Sequence, residues 1–260
     1  MTERYSIILI TGTTSGIGRE LLKFYRDAGL RLITVNRREI TDELHEGVNS
    51  FVLDITNEHD IGMLFNELSE TSAIPDVFIL NAGINKIDNV TGLNYRAFKD
   101  VMDTNFMGVM TFVGEIQRRN LKGRSVVALS STSNIIANPS HLGYHLSKQN
   151  LHRAFRIFAK SDSVNRYKSV ILGPVHTNIM ANSPPLSGLN KRIFDLLAVS
   201  VKQAADAITH FIDGDRTTLH YPRFAVLFYH FARVVLICLP GLYLGTRIPA
   251  EGDTGEEDIR

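Results

Sequence analysis

Four consecutive apolar residues, Ile7-Ile8-Leu9-Ile10, run straight into Thr11-Gly12-Thr13-Thr14-Ser15-Gly16-Ile17-Gly18, after which Ile17, Leu21, Phe24, Tyr25 and Ala28 recur at helical spacing. An apolar run without polar alternation fits a strand buried on both faces, and a strand, glycine turn and amphipathic helix in succession make half of a parallel crossover unit. Gly29 is placed to stop the helix. The pattern then repeats along the chain. Strands are expected at Ser6 to Ile10, Leu32 to Val35, Ser50 to Leu53, Val77 to Leu80, Ser125 to Leu129, Lys168 to Leu172 and Thr218 to Tyr221. Helices are expected at Glu58 to Glu70, Asn94 to Arg119, Gly143 to Lys160 and Val201 to Ile212.

Strands alternating with helices demand a parallel sheet covered on both faces. The fold class is therefore α/β, a doubly wound parallel sheet of Rossmann type, with a single domain over 1–222 and a C-terminal apolar helical extension. At 260 residues the chain can bury one sizeable core. The glycine turn follows a strand and opens a helix, so main-chain N–H groups at the helix start would face an anionic pyrophosphate. Further on, Tyr144 and Lys148 stand four residues apart, with Ser131 thirteen residues before the tyrosine. One helical turn of separation points the phenol and the ammonium the same way. A cation there is expected to lower the phenol's pKa from its usual value near ~10 and make it a general acid/base.

These motifs, in this order and spacing, resemble the short-chain dehydrogenase/reductase family over about Tyr5 to Tyr221. The resemblance implies a nicotinamide-dependent oxidoreductase acting on a small carbonyl or alcohol. Tyr144 would then be the proton donor and Ser131 the hydroxyl that holds the reacting oxygen. Lys148 would tune the tyrosine and hold the nicotinamide ribose, and Asn105, in Thr104-Asn105-Phe106-Met107-Gly108, would tie a water to the lysine as a proton relay.

Cofactor contacts are implied at Gly12, Thr14, Ser15, Gly16, Ile17 and Gly18 in the turn, and at Asn36 and Arg37 after the second strand. Asp54 and Ile55, Asn81-Ala82-Gly83, Tyr144, Lys148, Val175 and Thr177 complete the set. Asp54 would meet the adenine amino group, or else cap the following helix. Val175 and Thr177 would meet the carboxamide. Where an acidic residue reads the ribose of NAD, this chain has Asn36-Arg37-Arg38, which favours the 2′-phosphate of NADP. Ser15 departs from that reading, since many NADP-using relatives carry a basic residue there. Leu172 stands where the family usually has proline, which affects the entry angle of the next loop. Ser130, Ser131 and Ser133 crowd one strand end, and only the distance to Tyr144 selects Ser131.

With 28 basic and 27 acidic residues and no extended Lys/Arg tract, nucleic acid is not an expected partner. The single cysteine, Cys238, allows no internal disulfide and offers no metal-site spacing. The N-terminal apolar run is too short for a signal-peptide core, so a cytoplasmic location is expected, with membrane association as a further option.

Segment 178–200 would cap the substrate pocket. From Phe224 to Leu239 the chain is apolar except for His230 and Arg233, and no acidic residue occurs between Arg223 and Arg247. A sixteen-residue helix covers only about 24 Å, short of a ~30 Å hydrocarbon core, so segment 223–250 is read either as peripheral on a membrane or as buried against protein. The tail 251–260 is expected to be disordered. His141 and His176, on loops, are expected to be solvated and carry no assigned chemistry.

The reading is a reductase of a lipophilic carbonyl, or the reverse alcohol oxidation, in a homodimer or homotetramer that uses NADPH in preference to NADH. The competing class is a catalytically silent NADP(H)-binding redox sensor. An epimerase or dehydratase on the same fold would have a different glycine spacing and a longer substrate region. Expected pocket residues are Ile84, Asn85, Ile136, Leu142, Pro174, Ile179 and Met180.

Overall fold

The apolar run Ile7-Ile8-Leu9-Ile10, followed by Thr11, forms strand β1 (Ile7–Thr11), buried along its whole length at the middle of a sheet. The computed structural model describes residues 5–40, 42–132, 139–180 and 188–223. The sheet continues with β2 (Arg31–Asn36), β3 (Asn49–Val52), β4 (Val77–Leu80), β5 (Ser125–Ser131), β6 (Arg166–Leu172) and β7 (Thr218–Tyr221). The strand order is β3-β2-β1-β4-β5-β6-β7, and every pairing is parallel. This is the doubly wound Rossmann-type sheet, and the strand and helix expectations hold with small shifts of boundary.

Alternate strand residues feed two cores, as the two-residue period of a strand requires. Ile8, Ile10, Leu32, Ile79 and Val127 pack against Leu21, Leu22 and Tyr25 of α1 (Gly16–Asp27) and Ile208 and Phe211 of α7 (Val201–Asp213). Leu9, Ile33, Phe78 and Val126 pack on the other face. There they meet Phe65 of α2 (Glu58–Glu70), Phe112 of α4 (Gly108–Arg118) and Phe155 of α5 (Leu142–Ser161). Burying each large apolar side chain contributes about 1.5–3 kcal/mol before chain entropy is counted. Strand order reverses between β1 and β4, which opens a crevice at the carboxyl ends of the strands.

Three features differ from the sequence expectation. The helix expected over Asn94 to Arg119 is divided into α3 (Tyr95–Met102), a π turn over Asp103–Met107, and α4. The wide turn contains Asn105 and leads into Gly108, whose added Cβ would lie 2.6 Å from the Ile55 carbonyl oxygen. Strand β5 runs two residues further than expected and carries Ser130 and Ser131 in register with Ile171 and Leu172. His141 is buried rather than solvated, 3% exposed, and its Nδ1 donates to the Lys86 carbonyl at 3.2 Å.

Within 178–200 the structure describes a short 3-10 turn (Asn178–Met180) and α6 (Gly188–Leu197). Ser133, Ile136, the Pro184-Pro185 pair, the apolar segment after 223 and the acidic tail lie outside the described residues. Among the described residues no helix is long and apolar enough to cross a membrane.

Candidate active site

The crevice begins where β1 ends. Gly12 and Gly16 adopt positive φ, +72° and +57°, which glycine reaches without strain. The turn closes tightly. A Cβ on Gly18 would sit 2.1 Å from the Gly12 carbonyl oxygen, and one on Gly12 would sit 2.9 Å from Ala82 Cα. From β4, the Asn81 amide donates to the carbonyls of Thr11 (3.0 Å) and Gly12 (2.8 Å), and Ala82 N–H donates to Thr11 Oγ1 at 2.9 Å. Thr14 and Ser15 are exposed, and Ile17 is half-buried. Ser15 is the N-cap of α1 but makes no side-chain cap bond, and the first helical turn has no acidic residue. That leaves a helix start suited to an anion.

At the end of β2 the Asn36 amide is bonded to the glycine turn. Its Oδ1 accepts from Thr13 N–H at 2.7 Å, its Nδ2 donates to Thr13 Oγ1 at 3.0 Å, and it is 5% exposed. Arg37 and Arg38 are exposed beyond it. Asp54 does not cap α2, because Asn57 does so by accepting from His59 and Asp60 N–H. Instead Asp54 Oδ1 accepts from Thr56 N–H and Oγ1, both at 2.9 Å. Ile55 packs its side chain in the core and has only its main chain to offer the crevice.

On the other side of the crevice, Tyr144 hydrogen-bonds Ser131, while Ser130 donates to the Lys148 carbonyl at 2.9 Å. The strand's alternation separates the two serines and leaves Ser131 at the phenol. Lys148 Nζ donates to the Leu129 carbonyl at 2.8 Å and lies 5.7 Å from the Tyr144 ring centroid. A Cβ on Gly83 would fill the space facing Asn105 Oδ1 (3.2 Å) and Lys148 Nζ (3.5 Å), so glycine keeps that cradle open.

Burial pushes the Tyr144 phenol up to about 12 against the pull of the Ser131 hydrogen bond, and it pushes Lys148 down to about 8. This reverses the expectation that the lysine lowers the phenol's pKa. Its proton is directed at Leu129, and desolvation exceeds what an ammonium beside the ring supplies.

Asn105 is fully buried, and its side chain is engaged by protein. It accepts from Ile84 N–H (2.8 Å) and donates to the Ile84 carbonyl (2.9 Å) and to Ser147 Oγ (3.2 Å). Ser147 in turn donates to the Tyr144 carbonyl at 2.8 Å. The asparagine thus ties the loop after β4, the π turn and α5 together.

Sequence reasoning missed Asp88. Its buried carboxylate accepts from the N–H groups of Leu142 (2.7 Å) and Gly143 (2.6 Å), fixing the start of α5 from a residue 54 positions away. Only local signals are visible in a sequence, and Asp88 carries none.

Beyond β6, Gly173 N–H donates to the Tyr221 carbonyl at 2.8 Å, so the strand enters its loop in ordinary register despite Leu172. Val175 bridges Val199, and Thr177 faces the glycine turn, its Cγ2 3.6 Å from where a Gly16 Cβ would be. His176 stands edge-to-face on Phe194 of α6 at 5.4 Å. The expected site residues from β1, β4, β5, α5 and the β6 loop are thus brought to one crevice. The glycines, the open helix start and the Gly83 cradle fit a dinucleotide.

The family described as short chain dehydrogenase matches residues 6–185. The chain is 25% identical over 208 residues to dehydrogenase/reductase SDR family member 7B of Xenopus tropicalis, covering 73% of this chain and 67% of that protein. It spans about two thirds of the length of such relatives, 65% for the Bos taurus protein and 64% for the Xenopus laevis one. A short chain dehydrogenase from Burkholderia cenocepacia superposes with a TM-score of 0.74 at 20% identity, covering 95% of this chain and 100% of that one. A short chain dehydrogenase/reductase from Burkholderia phymatum superposes at 0.73 with 18% identity, covering 92% and 97%. A family match over most of the described sheet, on a crevice built from the same motifs, establishes that this chain belongs to the short-chain dehydrogenase family.

Proposed function

We propose that the protein is an NADP(H)-dependent oxidoreductase that interconverts a carbonyl and an alcohol, with Tyr144 as general acid/base. The observation that carries the reading is the Ser131–Tyr144 hydrogen bond, with Lys148 one turn along and its Nζ facing the Gly83 cradle. The nicotinamide, when bound, supplies or takes up the hydride. Ser131 holds the substrate oxygen beside the phenol, and Tyr144 gives that oxygen its proton in reduction. A phenol held up to about 12 is protonated at neutral pH, which suits the reductive direction. Lys148, buried and pushed down to about 8, can return a proton to the tyrosine. Asn105 and Asp88 hold β4 and α5 in place.

Support for NADP comes from the neutral Asn36, where NAD enzymes carry an acid, and from the exposed Arg37 and Arg38. The Burkholderia cenocepacia structure is a complex with NADP and the Burkholderia phymatum one a complex with NAD, so the fold itself accepts either. Ile179 and Leu196, apolar and exposed at 36% and 77% in the 178–200 segment, support a lipophilic substrate.

The test is NADPH and NADH oxidation against carbonyls from steroid and retinoid ketones to short aliphatic ones, with Arg37→Ala beside the wild type. Turnover that favours NADPH, with the preference lost in Arg37→Ala, is the expected outcome. Nucleotide binding without any turnover would move the protein to the redox-sensor class.

A further inference from the structure

The β2–β3 loop holds a run of polar contacts that the chemistry above does not use. Asp42 Oδ1 accepts from His45 Nδ1 at 2.7 Å, and Asp42 Oδ2 pairs with Arg19 of α1. A carboxylate only accepts, so His45 Nδ1 donates to Asp42, and the ring's Nε2 pairs with the Thr13 hydroxyl at 3.0 Å. Thr13 Oγ1 accepts in turn from Asn36 Nδ2 (3.0 Å), and Asn36 Oδ1 accepts from Thr13 N–H (2.7 Å). Thr13, Asn36 and His45 are 0%, 5% and 6% exposed. The loop is tied to α1 a second time, by Arg26 donating to the Glu43 carbonyl at 2.5 Å.

Leu44 and Val48 already anchor this loop in the core beside α1. A buried polar chain costs free energy unless every member is satisfied, so apolar packing would be the simpler way to hold the loop. This chain is satisfied along its length, and it converges on Thr13, one residue after Gly12 and two before Ser15, the N-cap of α1. Thr13 N–H is engaged from beneath, which holds the turn in a fixed shape above it. The same loop begins with Arg37, so the arm that reads the 2′-phosphate and the turn that meets the pyrophosphate are joined mechanically.

We infer that His45 and Asp42 are positioning residues for the cofactor: acting through Thr13, they hold the glycine turn in its binding shape and set affinity for the dinucleotide's shared pyrophosphate. The inference rests on the dinucleotide-binding reading above.

The experiment measures equilibrium dissociation constants for NADPH, NADH and ADP-ribose by fluorescence and calorimetry. It compares wild type, Thr13→Val, Thr13→Ser, His45→Ala, His45→Gln and Arg37→Ala, with hydrogen exchange of the residue 12–18 amides in nucleotide-free protein. Thr13→Val and His45→Ala are expected to weaken all three ligands by similar factors, about tenfold each, the scale of one buried hydrogen bond. Exchange in the turn accelerates in both. Thr13→Ser restores binding to within about twofold, since the hydroxyl is kept. The double variant Thr13→Val with His45→Ala is no weaker than the worse single one, as one chain of contacts requires.

Arg37→Ala, by contrast, weakens NADPH alone. Should Thr13→Val prove too unstable to purify, the His45→Ala and His45→Gln pair decides the matter by the same readouts. Unchanged dissociation constants with a lower melting temperature would overturn the inference and leave a fold brace. A loss confined to NADPH would also overturn it. A wild type that binds none of the ligands refutes the dinucleotide reading itself, a result distinct from either.

Discussion

Around Gly12 to Gly18 the side chains holding the crevice are the amides of Asn36 and Asn81, the Thr13 hydroxyl and the His45 ring. Around the start of α5 they are a carboxylate, an amine and a phenol, namely Asp88, Lys148 and Tyr144. Burial pushes the last two pKa values away from their ordinary values, to about 8 and about 12. One side of the crevice is held by hydrogen bonds that set its shape, whereas the other keeps an amine and a phenol out of water. Substitutions should therefore lower stability on the first side and, at the desolvated amine of the second, raise it.

Gly18→Ala should break the first side most severely. Its methyl would lie 2.1 Å from the Gly12 carbonyl and 2.5 Å from Asn81 Nδ2, so the turn must open, at a loss of about 3 kcal/mol or more read by denaturant unfolding. Nucleotide binding is expected to disappear with it. Asp88→Ala comes next, leaving the Leu142 and Gly143 N–H groups without their buried acceptor. The expected cost is about 2 kcal/mol with a fall in kcat, and Asp88→Asn should recover only part of each.

Lys148→Met tests the opposite sign. A lysine whose pKa falls from 10.5 to about 8 on folding binds fewer protons than in the unfolded chain between those values. Stability thus rises with pH in that window, and at pH 7 the full cost of the buried charge is present. Replacing the amine should raise the melting temperature at pH 7 by about 3 °C while removing turnover. A melting temperature that falls instead would show that the bond to Leu129 outweighs desolvation.

The smallest effect lies outside the crevice. His152 bonds Ser169 Oγ at 2.9 Å, and burial, with Arg156 and His220 nearby, pushes it from 6.5 down to about 4. The unfolded chain binds the extra proton between those values, so stability is lost as pH falls from about 6.5 to about 4. His152→Gln should flatten that part of the stability profile, and an unchanged slope would place the titrating group elsewhere.

The sheet and helices were legible because their signals are local: Ile7 to Ile10 and Val77 to Leu80 are short apolar runs bounded by turns, and α2 and α7 show helical periodicity. The glycine turn and the Ser131, Tyr144, Lys148 spacing were legible as motifs. What escaped depends on contacts between distant segments. Asp88 meets α5 across 54 residues, and His45 meets Thr13 across 32. The bonds between the Asn36 amide and Thr13, across 23 residues, were likewise not legible. The π turn at Asn105 follows from tertiary bonds to Ile84 and from the closeness of Gly108 to Ile55, neither of which alters helical periodicity. The lysine's effect on the phenol was reasoned from charge alone, and burial, invisible in sequence, reversed it.

The most direct test of the account is NADPH oxidation with a reducible carbonyl by wild type and Tyr144→Phe, at matched nucleotide occupancy and after confirming equal dissociation constants for NADPH. The account predicts that Tyr144→Phe binds NADPH as the wild type does and turns over about a thousandfold more slowly, the scale of a lost general acid. Turnover within a few fold of wild type would contradict it and place the proton donor elsewhere in the crevice.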